Sequence, residues 1–117
     1  MTPVLDNLSY RAPHLSEDRL VMHAGHYATA RDVLGLELWD SEGFPFLRVT
    51  VNLPGVGVPK DCIAIKSWSE NEGIVQNLIQ WGVIEPLPTM EVKTGHVVAP
   101  VHRLTEEFQD KLRRANV

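Results

Sequence analysis

The sequence predicts an α+β fold: an antiparallel sheet of about four or five strands, one amphipathic helix packed on a face, and a peripheral C-terminal helix. Two observations carry this prediction. Apolar residues alternate with other residues between positions 33 and 53, which is the two-residue period of a strand. After Ser69, apolar residues instead recur every three to four positions, which is the period of a helix.

The alternating region predicts two paired strands. Leucines occupy every second position from Leu34 to Leu38, and the turn-forming run Asp40 to Gly43 follows. A second alternation runs from Phe46 to Leu53, and the run from Pro54 to Pro59 ends it as a turn. We therefore expect an antiparallel hairpin whose aliphatic faces point to a common core.

Three further extended runs follow in the chain. Asp61 to Trp68 predicts a third strand, in which Cys62 is expected to be a buried, unreactive thiol. Met90 to Lys93 and His96 to His102 are extended runs on either side of a turn at Thr94 and Gly95. Pro100 lacks a backbone donor, so the last run is expected at a sheet edge or to end early.

Two helices are predicted from their ends and their periodicity. Ser69 and Glu72 form an S-x-x-E capping box, and Gly82 stands where a left-handed cap residue is expected. Thr105 caps a last helix from Glu106 to Ala115. The apolar stripes that the two helices would bury consist of Ile74, Val75, Leu78 and Ile79 in the first, and Leu104, Phe108 and Leu112 in the second.

The first thirty residues are predicted to form an N-terminal arm or a short helix, and residues 31–117 a single α+β domain. Pro3 and Pro13 interrupt any long element, and Ser16 to Met22 has a helix-like composition with Ser16 as its cap. A chain of 117 residues is long enough to bury a core without disulfides, and its single cysteine allows no internal one.

The charge balance and hydropathy restrict the class of protein. A formal net charge of -4 opposes general attraction to nucleic acid, so direct nucleic-acid binding is not expected. A nucleic-acid accessory role would depend on Lys111, Arg113 and Arg114, which acidic residues flank. No apolar run approaches the roughly 20 residues that a membrane span needs, which predicts a cytoplasmic protein without membrane contact.

Residues with catalytic chemistry are few. Ser67, Ser69, Glu70, Asn71 and Glu72 form the densest polar cluster, but helix capping accounts for much of it. An enzyme or ligand-binding protein centred on this helix start is the alternative, with His96 or His102 recruited by the fold. Since no hydrolase or zinc-protease motif occurs, we predict a non-enzyme without cofactor. We also predict no metal site, although His14, His23 and His26 leave metal binding open.

Tryptophans mark the predicted partner surface. Trp39 and Trp68 stand at the ends of predicted strands and Trp81 at a helix end, where core residues are usually aliphatic. Tryptophan is enriched at protein interfaces because it offers a large rigid surface with one polar group. Together with Glu70 and Asn71, these residues are predicted to bind a partner protein.

Three segments carry a resemblance to a known family. TVNLPG (50–55), KSWSENEG (66–73) and APVHRL (99–104) resemble, in the same order, the domain-of-unknown-function 4313 family of bacterial plasmids, phages and other mobile elements. The resemblance covers about residues 31–104 and brings no catalytic residues. It implies a small protein that binds a host or element-encoded protein, and inhibition of a host defence system such as CRISPR is one such role. A homodimer is left open.

Overall fold

Two antiparallel sheets and two α-helices form the part of the chain that the structure describes. The computed structural model describes residues 1–27, 30–53 and 55–117, with only the backbone of residues 30–32. The first sheet has the order β1-β2-β3-β4 and the second β5-β7-β6, which confirms the α+β fold class. The elements are β1 Thr2–Ala12, β2 Leu15–Tyr27, β3 Ala30–Trp39, β4 Pro45–Arg48, β5 Cys62–Ala64, α1 Ile74–Gln80, β6 Met90–Thr94, β7 Val97–Arg103 and α2 Glu106–Arg114.

The first residues form strands, where an arm or a short helix was predicted. β1 and β2 pair as a long hairpin, and β2 continues the sheet to β3, so the prediction of a helix from Ser16 to Met22 is wrong. Leu20, Met22 and Ala24 are all fully buried at every second position. This two-residue period, and not the helix-like composition around it, decides the local structure because it places three apolar side chains in the core.

The predicted hairpin of β3 and β4 is present, and its leucines face the core. Leu38 pairs with Leu47 on one side and with Met22 on the other. Leu36, Leu38 and Met22 are fully buried. The opposite face of the same strands carries His23, which lies in register with Glu37. β4 ends at Arg48, earlier than predicted. The predicted turn that begins at Pro54 falls partly outside the described residues, since Pro54 is not among them.

Thr50 joins the two sheets. Its backbone bridges to Ile65, directly after β5, while Val49 still donates a hydrogen bond to the Leu36 carbonyl of β3. The Thr50 hydroxyl accepts from the Leu36 amide at 3.1 Å and lies 2.9 Å from the Tyr27 hydroxyl. Thr50 is only 2% exposed. Its side chain thus supplies the partner that the Leu36 amide would otherwise find in a continuing strand.

The predicted capping box does not form. Ser69–Asn71 is a single 3-10 turn without a side-chain cap, and α1 begins only at Ile74. Gly73, between the two, has a φ of 95°, and a Cβ there would lie 3.1 Å from the Ala12 Cβ. Tertiary contacts therefore override the local signal, because the tip of the β1–β2 hairpin occupies the space that a continuous helix would need.

Asn77 fastens α1 to β1. Its side chain accepts from the Arg11 amide at 2.9 Å and donates to the Arg11 carbonyl at 2.8 Å, as a neighbouring strand would. Ile74 and Leu78 of the predicted apolar stripe are fully buried, and Val75 and Ile79 pack against the core.

Gly82 ends α1 as predicted, with a φ of 74°. The Val83 amide donates to the Leu78 carbonyl, and the Gly82 amide to that of Ile79, which is the Schellman pattern. Thr105 caps α2, since its hydroxyl accepts from the Phe108 amide at 3.1 Å and donates to the Gly82 carbonyl. Phe108 is 1% exposed and belongs to the core.

Pro100 lies in the central strand of the second sheet, so the prediction of an edge position is wrong. β7 pairs with β5 on one side and β6 on the other. The Pro100 carbonyl accepts from the Ile65 amide at 2.9 Å, which shows that the peptide groups of Pro100 face the β5 side. They lie beyond Ala64, the last residue of β5. A missing amide is tolerated there because the regular ladder has already ended.

We expect Thr50→Val to lower the free energy of unfolding by about 1–3 kcal/mol, because the buried Leu36 amide loses its acceptor without a change in side-chain shape. Urea denaturation followed by fluorescence measures this loss. Thr50→Ser, which keeps the hydroxyl, is the matched control and should lose less. A Thr50→Val protein as stable as the native one would contradict the role given to the hydroxyl.

Candidate functional site

The polar cluster at Ser69 lies at a shallow cleft. Ser69, Glu70 and Glu72 line it together with His14 and Leu15 of the β1–β2 hairpin, and its volume is about 320 Å³. The Lys66 ammonium lies 2.6 Å from a Glu70 carboxylate oxygen, and this hydrogen bond holds the pKa of Glu70 below its ordinary value. A carboxylate with a lowered pKa is a weak proton acceptor, which disfavours Glu70 as a general base.

His96 and His102, which the alternative enzyme hypothesis required, do not line this cleft. His102 is 2% exposed, and its Nδ1 lies 2.8 Å from the Glu85 carbonyl. His96 is exposed between β6 and β7. His23 and His26 lie three apart on β2 and so point to opposite faces of the sheet. Among residues 1–27, 30–53 and 55–117, no three His, Cys, Asp or Glu side chains converge into a metal-binding group.

The predicted partner-binding residues divide between core and surface. Asn71 is fully buried, and its Nδ2 donates to the Arg48 carbonyl at 2.5 Å. Trp81 packs against the core, with its ring 6.4 Å from that of Tyr10. Trp68 is half-buried at the start of the 3-10 turn, and Glu70 is exposed. Asn71 and Trp81 therefore have structural roles, whereas Trp39 is half-buried and has the best-defined contacts on a sheet face.

Trp39 is held in one orientation on the outer face of the first sheet. Its ring stacks on that of His23 with 4.5 Å between centroids and 22° between planes. Its Nε1 donates to a Glu37 carboxylate oxygen at 3.1 Å. The turn after β3 then carries Glu42 and the 62% exposed Phe44. We call His23, Glu37, Trp39, Glu42 and Phe44 the Trp39 surface.

The register of β2 and β3 builds this surface. Leu36 and Leu38 must face the core, so Glu37 and Trp39 point outward, and His23 lies opposite Glu37. One carboxylate oxygen of Asp40 accepts from the amides of Glu42 and Phe44, each at 2.9 Å, and fixes the turn. The sequence did not predict His23 and Phe44 as members of this surface, because their positions depend on strand pairing and turn geometry. The Asp-Ser-Glu-Gly turn was the feature of the sequence that could have pointed to Phe44.

Met1 continues the outer face beyond His23. Gly25 and Gly35 are paired across β2 and β3, and a Cβ at either position would lie 3.2–3.3 Å from the Met1 side chain. Because the two glycines have no side chains, they leave a shallow depression in the sheet surface, which Met1 occupies. Burial lowers the pKa of His23, and the positive charge of the Met1 amino group lowers it further, while Glu37 opposes this.

Acidic residues are close neighbours of Trp39 in the chain. Glu37, Asp40 and Glu42 lie within the same hairpin, and Arg48, in register with Glu37, offsets part of their charge. Asn71 is bonded to β4, so its neighbour Glu70 lies on a turn next to that strand. The hairpin that carries Trp39 therefore combines three carboxylates with a large aromatic area.

A larger cleft of about 480 Å³ lies between the end of β2, the start of β5 and α2. It contains Cys62, which is partly exposed and not buried as predicted. Its polar rim is in part already engaged: the Gln109 amide donates to the Leu104 carbonyl at 3.0 Å, and Arg113 pairs with Asp110. The same Arg113–Asp110 pair reduces the basic character of the predicted cluster on α2.

The chain matches no family model, no curated protein and no solved structure. The resemblance drawn from its three segments therefore stays a prediction. No helix within the described residues is long and apolar enough to cross a membrane.

We expect the pKa of His23 to lie below 6.5 in the folded protein, because burial, to which the Trp39 ring contributes, disfavours the charged ring and the Met1 amino group repels it. Its unfolded-state pKa is then the higher one, so its contribution to stability is full above pH 6.5 and is lost as the pH falls below 6.5 and through the folded-state pKa. NMR titration of the imidazole measures the pKa. Trp39→Ala should raise it toward 6.5; an unchanged value would contradict the assigned cause.

Proposed function

We propose that this chain is a non-catalytic protein-binding module that docks through the Trp39 surface. The observation that carries the proposal is that one hairpin presents both a half-buried, oriented Trp39 and the 62% exposed Phe44. Interface hot spots favour such aromatic anchors because they bury large areas at little cost in side-chain entropy. The stack on His23 and the bond to Glu37 orient Trp39 before any partner arrives.

The charges around Trp39 indicate the chemistry of the partner. Glu37, Asp40 and Glu42 favour a basic protein surface, and the net charge of -4 steers the chain toward one over longer distances. An aromatic centre with an acidic rim also matches the usual division of an interface, in which the core gives affinity and charges give rate and specificity. The partner we propose therefore presents an apolar pocket bordered by Lys and Arg residues.

The resemblance to a family of mobile elements suggests where such a partner is found. We place the chain on a plasmid, phage or related element, with a host or element-encoded protein as its partner in the cytoplasm. Defence complexes such as CRISPR effectors expose basic channels for nucleic acid, and an acidic module is able to occupy them. Inhibition of such a complex is the specific role that we propose.

Trp39→Ala and Phe44→Ala should each weaken the complex at least about tenfold, because each removes an aromatic anchor. Affinity capture from the bacterial host and from purified defence complexes, analysed by mass spectrometry, first identifies a stoichiometric partner; calorimetry with that purified partner then gives Kd. Leu87→Ala is the control, since Leu87 is 78% exposed and belongs to the segment before β6. Equal affinity of all four proteins, or no partner under conditions that preserve micromolar complexes, would contradict the proposal.

Glu42→Lys should slow association and reduce its dependence on salt, since Glu42 lies exposed at the acidic rim. Stopped-flow or surface-plasmon kinetics at about 50 and 300 mM salt measure both effects. Glu17→Lys makes the same charge change on the β1–β2 hairpin and is the matched control. An association rate that is equally affected by both changes would mean that net charge, and not the Trp39 surface, guides the encounter.

A further inference from the structure

β6 is an open sheet edge of unusual regularity. It pairs with β7 without any register shift from Met90 to Thr94, and no other strand in the described part of the chain pairs with its second side. Met90, Glu91 and Lys93 are exposed. β1, the outer strand of the first sheet, differs because its pairing with β2 contains three register shifts and Asn7 has a positive φ of 52°. Such irregularities prevent an edge from pairing with another chain, and β6 lacks them.

The free hydrogen-bonding groups of β6 can be assigned from Pro100. In an antiparallel pair, two opposed residues either bond to each other or both face away. Glu91 opposes Pro100, whose carbonyl bonds to Ile65 on the far side of β7. The peptide groups of Glu91, and by alternation those of Lys93, therefore point to the open edge. Val92, between them, faces β7.

We propose that β6 pairs antiparallel with β6 of a second copy of this chain, about a two-fold axis at Val92. This register opposes Glu91 to Lys93 of the second copy, and Lys93 to its Glu91. Both are bonded pairs, so about four backbone hydrogen bonds form across the axis. The three-stranded sheet of each copy continues into that of the other.

The side chains of β6 are self-complementary in this register. Glu91 and Lys93 lie on one face of the strand, where each meets a residue of opposite charge across the axis. On the other face, the half-buried Val92 meets its own copy, and Met90 meets Thr94. In an isologous interface, a contact between one residue and a second residue of the other copy always occurs twice. Two residues of opposite charge on one strand can therefore form two favourable pairs across the axis. A parallel arrangement or a shift by one residue does not give these contacts.

A short strand gives a weak dimer. Five residues a side, with the exposed Leu87 nearby, bury less than the roughly 1,200 Å² of a stable interface, so we expect dimerisation in the micromolar range or weaker. The dimer does not depend on the proposed function, because the Trp39 surface belongs to the other sheet.

Charge exchange at β6 tests the proposal. Sedimentation velocity over about 1–500 µM should show the native protein rising from 13.1 kDa toward twice that mass. Lys93→Glu and Glu91→Lys should each weaken dimerisation about tenfold or more, since each places like charges in both pairs. The double exchange should restore it to within about threefold, while Arg114→Glu on α2 leaves it unchanged. A native protein that stays monomeric, or a double exchange no better than the single changes, would overturn the proposal.

A cysteine at the axis tests the register directly. In Cys62→Ser protein, Val92→Cys places two thiols in an unbonded antiparallel pair whose Cα atoms lie about 4.5 Å apart, within the range of a disulfide. Mild oxidation should then give a covalent dimer on a non-reducing gel. Val98→Cys is the control, since Val98 is 46% exposed on β7 and lies away from the axis. Equal cross-linking of the two variants would refute the register.

Discussion

The fold depends on how the chain passes from one sheet to the other at Thr50. Strands that leave a sheet expose backbone donors, and a buried amide without a partner costs about 1–3 kcal/mol. The Thr50 hydroxyl accepts a hydrogen bond from the Leu36 amide and so avoids this cost, while the Thr50 backbone bridges to Ile65 in the second sheet. The Tyr27 hydroxyl adds a contact from β2. Thr50 thus connects β2 and β3 through its side chain to the second sheet through its backbone, which helps the two sheets to share one core.

Sequence periodicity predicted the elements that local contacts determine. The leucines of β3, the end of α1 at Gly82 and the cap of α2 at Thr105 each depend on neighbours within a few positions, and all three are present. The failure of the predicted capping box involves contacts distant in sequence. The capping box at Ser69 gives way to the approach of Ala12 to Gly73 and to the Asn71 bond with Arg48. A local rule cannot foresee a backbone that arrives from about sixty residues away.

In the candidate site, too, local features could be predicted from the sequence and contacts between distant residues could not. Trp39 was identifiable because a tryptophan at a strand end is unusual in a core, but its partner His23 lies on a strand that had been assigned to an arm or short helix. Only the pairing of β2 with β3 brings the two rings together. Asn71 shows the opposite error, since a polar residue near a helix start suggested a surface and is instead fully buried. Composition identifies candidates, whereas register determines which of them reach the surface.

The two proposed contacts would act together, because they use different sheets. A dimer through β6 leaves the Trp39 surface of each copy outside the paired strands, so it presents two binding surfaces related by a two-fold axis. A partner that is itself symmetric, or that repeats along a filament, would then engage both copies, and the second contact would form at a high effective concentration. The avidity gained in this way depends on whether the spacing of the two surfaces matches that of the partner. A weak dimer is sufficient for this purpose, since a two-site partner would stabilise it by binding.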